Sequence, residues 1–169
     1  NALNELQLSA EEVGIEPERQ EVIIQRLLRK NLGFQSVSVI DIAGTEQVRV
    51  DRFKLVTASE LLNSSTDDSY KRALSGTANV GQVFVSSEFE PRISLFVPLY
   101  SLGIIQGVLK AELNLRNLLE ALREVNIGNG HIYVVDHGGF QVLHPDLSEL
   151  LRRQNFSSRQ IVKKVVIDG

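Results

Sequence analysis

The stretch Val-Ser-Val-Ile-Asp-Ile-Ala-Gly-Thr-Glu-Gln-Val-Arg-Val, residues 37–50, shares a pattern with Ile-Tyr-Val-Val-Asp-His-Gly-Gly-Phe-Gln-Val-Leu-His, residues 132–144. Each is a β-branched strand, then Asp-x-x-Gly, then a second strand. Asp41 matches Asp136 and Gly44 matches Gly139 at a single offset of 95 residues (41 to 136, 44 to 139). The Asp side chain caps a tight turn, and Gly supplies the positive φ that the return strand needs. Two such hairpins at one offset predict two related modules in tandem, the second of them cut short.

Outward from the first hairpin, roughly 36–53, the chain alternates in period. On its N-terminal side Leu3, Leu6 and Val13 keep a loose helical spacing. Glu16-Pro17-Glu18 then opens a second helix, with Pro in the first turn and acids near the positive dipole end. Its expected apolar stripe is Val22, Ile23, Leu27 and Leu28, and Asn31 to Gly33 end it. On the C-terminal side, residues 57–79 are polar and turn-rich, with a short helix over Asp68–Leu74 stopped by Gly76. Three strands follow, Val80–Ser86, Arg92–Tyr100 and Ile104–Leu113. A helix over Leu115–Val125, with Leu118, Leu119 and Leu122 on one face, ends before Gly128 and Gly130. Five strands with short links and helices on one side predict an α+β domain.

Composition narrows the function. The 169 residues suffice for one core plus part of another. Hydrophobic content of 43% and charged content of 23% are ordinary for a globular domain. A net charge of −3 is too mild to argue for nucleic acid or an anionic membrane surface, and no nucleic acid partner is expected. No apolar run reaches the length of a membrane span. The absence of Met predicts a piece of a longer protein, and flanking membrane helices are compatible with that. Zero Cys excludes disulfides, thiolate metal sites and Cys nucleophiles, and fits an oxidising compartment. No nucleophile elbow, phosphate-cradling Gly loop or His-Glu-x-x-His occurs, so no enzyme is expected in this region. Asp41 and Asp136 read as turn caps rather than paired catalytic acids. Thr66-Asp67-Asp68 reads as a helix start rather than a calcium loop.

The strand segments give the candidate site. Alternation puts Arg92, Ser94, Phe96, Pro98 and Tyr100 on one face, and Ile93, Leu95, Val97 and Leu99 on the other. On the next strand Lys110, Glu112 and Asn114 oppose Leu109, Ala111, Leu113 and Leu115. The apolar faces should pack on the N-terminal helices, with Leu95, Val97, Leu109 and Leu113 nearly fully buried. The polar faces should look toward segment 57–79, making either a small-ligand pocket or a solvated, salt-bridged surface. His131, His137 and His144 cluster at the second hairpin. If Asp136 and Gly139 close a two-residue turn, His131 faces His144 near Asp146. That trio is compatible with Zn²⁺, but an ordinary end of strand is the preferred reading, and no metal or cofactor is expected.

The ordered segments Leu27-Leu-Arg-Lys-Asn31, Ser36–Asp41 with Ala43-Gly44, and Val83-Phe-Val-Ser86 resemble the double Cache family of extracytoplasmic sensors. So do Glu90–Leu99, Gly107–Leu115, Gly130–Asp136 and Leu143–Asp146, so that the resemblance covers about 27–153. It implies a PAS-like five-stranded antiparallel sheet packed on long N-terminal helices, followed by a partial second PAS-like module. The corresponding boundaries are 1–127 for the membrane-distal module and 128–169 for the partial membrane-proximal one. It also implies a signal-transduction role. The domain would hang outside the membrane between transmembrane helices, sense a small molecule for a histidine kinase, chemoreceptor or nucleotide cyclase, and act as a homodimer.

In amino-acid-sensing members the pocket uses a Tyr, Arg, Trp, Tyr cluster before the third strand and an Asp in the fifth. Here Glu112 stands at the Asp-like position, but the cluster is replaced by Tyr70-Lys71-Arg72-Ala73 and the chain has no Trp. An α-amino ligand is therefore not supported, and a small polar or carboxylated ligand is expected. The candidate ligand-binding residues are Tyr70, Arg72, Arg92, Ser94, Phe96, Tyr100, Lys110 and Glu112. Glu112 suits a cationic group; Arg92 or Arg72 suits a carboxylate. Two rivals stand. A ligand-free structural or dimerisation module, relaying a signal from a partner protein, predicts a pocket filled by Phe96 and Tyr100. A cytosolic PAS-like cofactor-binding domain predicts an apolar cavity without charges.

Overall fold

The computed structural model describes residues 2–13, 17–125, 132–135, 138–144, 146, 148–149, 152 and 154–164. Helices α1 (Ala2–Val13) and α2 (Pro17–Lys30) lead into strands β1 (Phe34–Asp41) and β2 (Glu46–Asp51). A short 3-10 turn (Ala58–Glu60) and α3 (Asp68–Leu74) precede β3 (Asn79–Val85), β4 (Pro91–Ser101) and β5 (Ile104–Asn114). Helix α4 (Arg116–Glu124), strands β6 (Val134–Val135) and β7 (Gln141–Leu143) and a helical turn, Gln160–Val162, complete the order. Strands β1 to β5 form one sheet in the order β2-β1-β5-β4-β3, and β6 and β7 form a second. The α+β class and the PAS-like five-stranded sheet are thus as expected.

The chain divides into two compact units, Asn1–Gly81 with Ile93–Asn114, and Gln82–Arg92 with Leu115–Gly169. In the first, Leu6, Ala10 and Val13 of α1 and Ile24, Leu27 and Leu28 of α2 bury against one sheet face. That face is built by Val37, Val39, Leu95, Val97, Leu99, Leu109 and Ala111. The expected face of β4 and β5 is the observed one, except that Leu113, near the end of β5, is only partly buried. The α2 stripe differs by one position. Ile24 is buried and Val22 is 55% exposed. Gln20, Ile24, Leu27 and Leu28 repeat at i, i+4, i+7 and i+8, and Val22 lies off that line.

The second unit repeats the local design of the first. Gly44 and Gly139 both have positive φ, +87° and +76°. A Cβ on Gly44 would meet the backbone nitrogen of Ser65, and one on Gly139 that of Ser157. Residues 45 and 140 form isolated bridges to Asn63 and Asn155. Glu46 N–H donates to Leu62 O, as Gln141 N–H does to Gln154 O. Asn63 and Asn155 accept from Ser65 and Ser157 N–H, both two residues on. The 95-residue offset of the hairpins becomes 92 in these following loops (63 to 155, 65 to 157).

Two details of the second unit depart from expectation. In α4 Leu119 is buried and Leu118 is 49% exposed. Val134 pairs with Leu143, whereas a two-residue turn closed by Asp136 and Gly139 would pair it with Gln141. His144 Nδ1 instead accepts from Asp146 N–H at 3.0 Å. His131, Asp136 and His137 lie outside the described residues, so the cap expected at Asp136 does too.

Candidate ligand-binding site

The sheet face opposite the helices is floored by the central strands of the first unit. Strand β1 pairs Ser36 with Asp51 on one side and Glu112 on the other. It likewise pairs Ser38 with Arg49 and Lys110. Cross-strand partners share a face, so two polar rows run across β2, β1 and β5. Ser36 and Ser38 are buried. Lys110 Nζ lies 2.8 Å from Glu112 Oε1, with side chains 11% and 12% exposed. It also stands 6.0 Å over the Phe96 ring. A cation and a carboxylate this poorly hydrated can each exchange the other for a ligand group of the same sign without first losing much water.

Next to the rows lies an apolar cluster of Ile40, Tyr70, Ala73, Phe96 and Val108, which seats α3 on this face. Asp67 caps α3, accepting from Ser69 N–H at 2.7 Å, and so fixes where the helix begins. On β2, Glu46 is fully buried and pairs with Arg49. Its Oε2 also accepts from Leu62 N–H at 2.9 Å, tying segment 57–67 to the sheet edge. Glu46 Oε1 has no partner among the described residues. Further along the same segment, Glu60 accepts from Thr57 N–H and Oγ1 at 2.8 and 2.9 Å. Those bonds lower the Glu60 pKa, the backbone one most.

Tyr70 Oη donates to the Asp41 carbonyl at 2.7 Å. Burial, then the Asp41 charge, push the phenol pKa up. The folded state therefore holds this proton more tightly than the unfolded chain. The stability it contributes is present below the ordinary phenol pKa of about 10 and is lost as pH rises through the folded value. Tyr70→Phe should cost about 0.5–1.5 kcal/mol near neutrality. It should also flatten the alkaline loss, measured as the urea midpoint at about pH 8 and about pH 11. Equal alkaline losses in both proteins would exclude Tyr70 as the titrating group.

The sequence-derived residues distribute unevenly. Tyr70, Phe96, Lys110 and Glu112 share the polar face and its apolar border. Ser94 is buried, and its carbonyl lies beside Gly81 with the Phe96 ring and the Ser69 hydroxyl. Arg72 is exposed and donates to Ser69 Oγ at 2.9 Å and Asn79 Oδ1 at 3.4 Å. Tyr100, near the exposed β4–β5 turn, is 50% exposed and lines a groove with Gln7, Ala10 and Glu11 of α1. Arg92 belongs to the second unit, where Glu88 and Glu90 hold it at 3.2 and 3.1 Å. Phe96 is buried as the ligand-free rival requires, whereas Tyr100 is not. Sequence reading missed Ser36, Ser38, Glu46, Arg49 and Asp51. The alternation Ser36-x-Ser38 against Val37-x-Val39, and Arg49-x-Asp51 against Val48-x-Val50, carried that signal.

No family model matches the sequence, and no curated protein matches it. Solved structures do. The ligand-binding domain of the Pseudomonas aeruginosa PAO1 amino-acid chemoreceptor PctC in complex with GABA is 21% identical, with a TM-score of 0.64 over 90% of this chain and 69% of that one. The ligand-binding domain of the Pseudomonas fluorescens chemoreceptor CtaA in complex with L-valine is 18% identical, with a TM-score of 0.67 over 92% of this chain and 69% of that one. The extracellular domain of the histidine kinase vpHK1S-Z8 is 20% identical, with a TM-score of 0.58 over 89% of this chain and 62% of that one. The chain thus spans between about three fifths and seven tenths of these structures' lengths. Among the described residues, no helix is long and apolar enough to cross a membrane. This chain has the fold of the Cache-type ligand-binding domains of chemoreceptors and of a histidine kinase.

Proposed function

We propose that this chain is the extracytoplasmic small-ligand-sensing region of a membrane signalling receptor. Residues 1–127 form the distal module and residues 128–169 a partial second one. The repeated hydrogen bonds around Gly44 and Gly139 support that division. The observation that carries the function is the Lys110–Glu112 pair on a serine floor under α3. A small polar or carboxylated molecule enters beside it, its acidic group taking Lys110 and any cationic group taking Glu112. Ligand binding favours one arrangement of α3 and segment 57–67, and α2 carries the shift toward the membrane. The structural neighbours bound to GABA and L-valine support testing amino acids beside organic acids, amines and nucleobases.

Thermal-shift screening followed by calorimetry tests this reading. A true ligand at about one hundred times its Kd adds about 2.7 kcal/mol. That corresponds to about 5–10 °C in Tm for a chain of this size. Lys110→Ala or Glu112→Ala should remove the shift. Absence of any hit, with a stable dimer in sedimentation, would favour the ligand-free dimerisation module instead.

A further inference from the structure

The second unit contains a cleft of about 520 Å³. Tyr133, Gln141, His144, Asp146, Phe156 and Arg159 are among its lining residues. Gln141 and His144 stand at the positions that Glu46 and Arg49 occupy in the first unit, at the same 95-residue offset (46 to 141, 49 to 144). There Arg49 pairs with Glu46 Oε2, which leaves Glu46 Oε1 without a partner among the described residues. Here Gln141 is 4% exposed and its Oε1 likewise has no partner among the described residues. A buried amide oxygen without a donor carries its full desolvation cost, which an incoming N–H would relieve.

Among the lining residues Asp146 and Glu149 are acidic and Arg159 is basic, and Glu149 is held by Arg152 and Gln154. Ser148 donates its hydroxyl and its N–H to Asp146 Oδ1 at 2.7 and 2.8 Å. Those bonds lower the Asp146 pKa, the side-chain one most, so the group is a carboxylate at neutral pH. Arg159 is directed to the rings: its guanidinium lies 4.2 Å from the Phe156 centroid and 5.5 Å from that of Tyr133, and donates to Tyr133 Oη at 2.9 Å. The two ring centroids lie 4.7 Å apart with the rings tilted by 42°, and they supply an apolar wall.

We propose that this cleft is a second ligand site, independent of the Lys110–Glu112 site, and that it takes a small alkylammonium. One ammonium N–H donates to Gln141 Oε1, Asp146 answers the charge, and the carbon chain lies on Tyr133 and Phe156. Butylamine, butyramide and butyrate, matched in size and different in charge, are the probes. Calorimetry on the whole chain should show butylamine binding, with butyramide and butyrate at least about tenfold weaker. Gln141→Leu should weaken butylamine at least about tenfold. Gln141→Glu should tighten it, and Glu112→Ala should leave it unchanged. Absence of butylamine binding to the parent protein at about 10 mM would overturn the proposal. So would butyrate binding as well as butylamine, or loss of binding in Glu112→Ala but not in Gln141→Leu. The last result would place amine binding at the first site and leave the proposed sensory function standing.

Discussion

Arg49→Met should destabilise the first unit by about 3–5 kcal/mol, because it strands a buried carboxylate. Glu46 is 0% exposed at its side chain, and Arg49 is the cation that faces it. Among the described residues, the carboxylate without that cation keeps only the Leu62 N–H, and Oε1 already has no partner. Removing both charges relieves this, so Glu46→Gln with Arg49→Met should recover much of the loss. Urea denaturation of the parent, both single variants and the double variant closes the cycle. A loss below about 0.5 kcal/mol in Arg49→Met would mean that the pair behaves as a solvated surface bridge.

Leu109→Ala should cost about 2–5 kcal/mol. Leu109 is 0% exposed in the middle of β5, opposite Val39 of β1. Helices α1 and α2 close over the same face through Leu6, Ile24 and Leu28. Three elements anchored by their own hydrogen bonds cannot all collapse into the space left by the missing methyl and methine groups. The lost transfer energy and the residual cavity therefore add. A Leu109→Ala loss under about 0.5 kcal/mol would reverse the assignment of faces.

Much of this architecture was legible along the chain because its signals are local. Period-two alternation in β4 and β5 separated Leu95, Val97 and Leu109 from Phe96, Lys110 and Glu112. Asp67 and Gly76 bracketed α3 because a cap and a positive φ need only their immediate neighbours. The paired Asp-x-x-Gly hairpins announced a repeat, which Gly44 and Gly139 express in the same local contacts. What the sequence could not decide was which side chains meet. Arg92 alternates with Ser94 and Phe96, yet Glu88 and Glu90 lie close enough in the chain to hold it. Glu46 and Arg49 read as ordinary strand charges. Their burial depends on Leu62, brought back by a loop whose path is set by long-range packing. Alternation assigns a residue to a face; only the closed structure determines whether that face meets water, a helix or a charge of opposite sign.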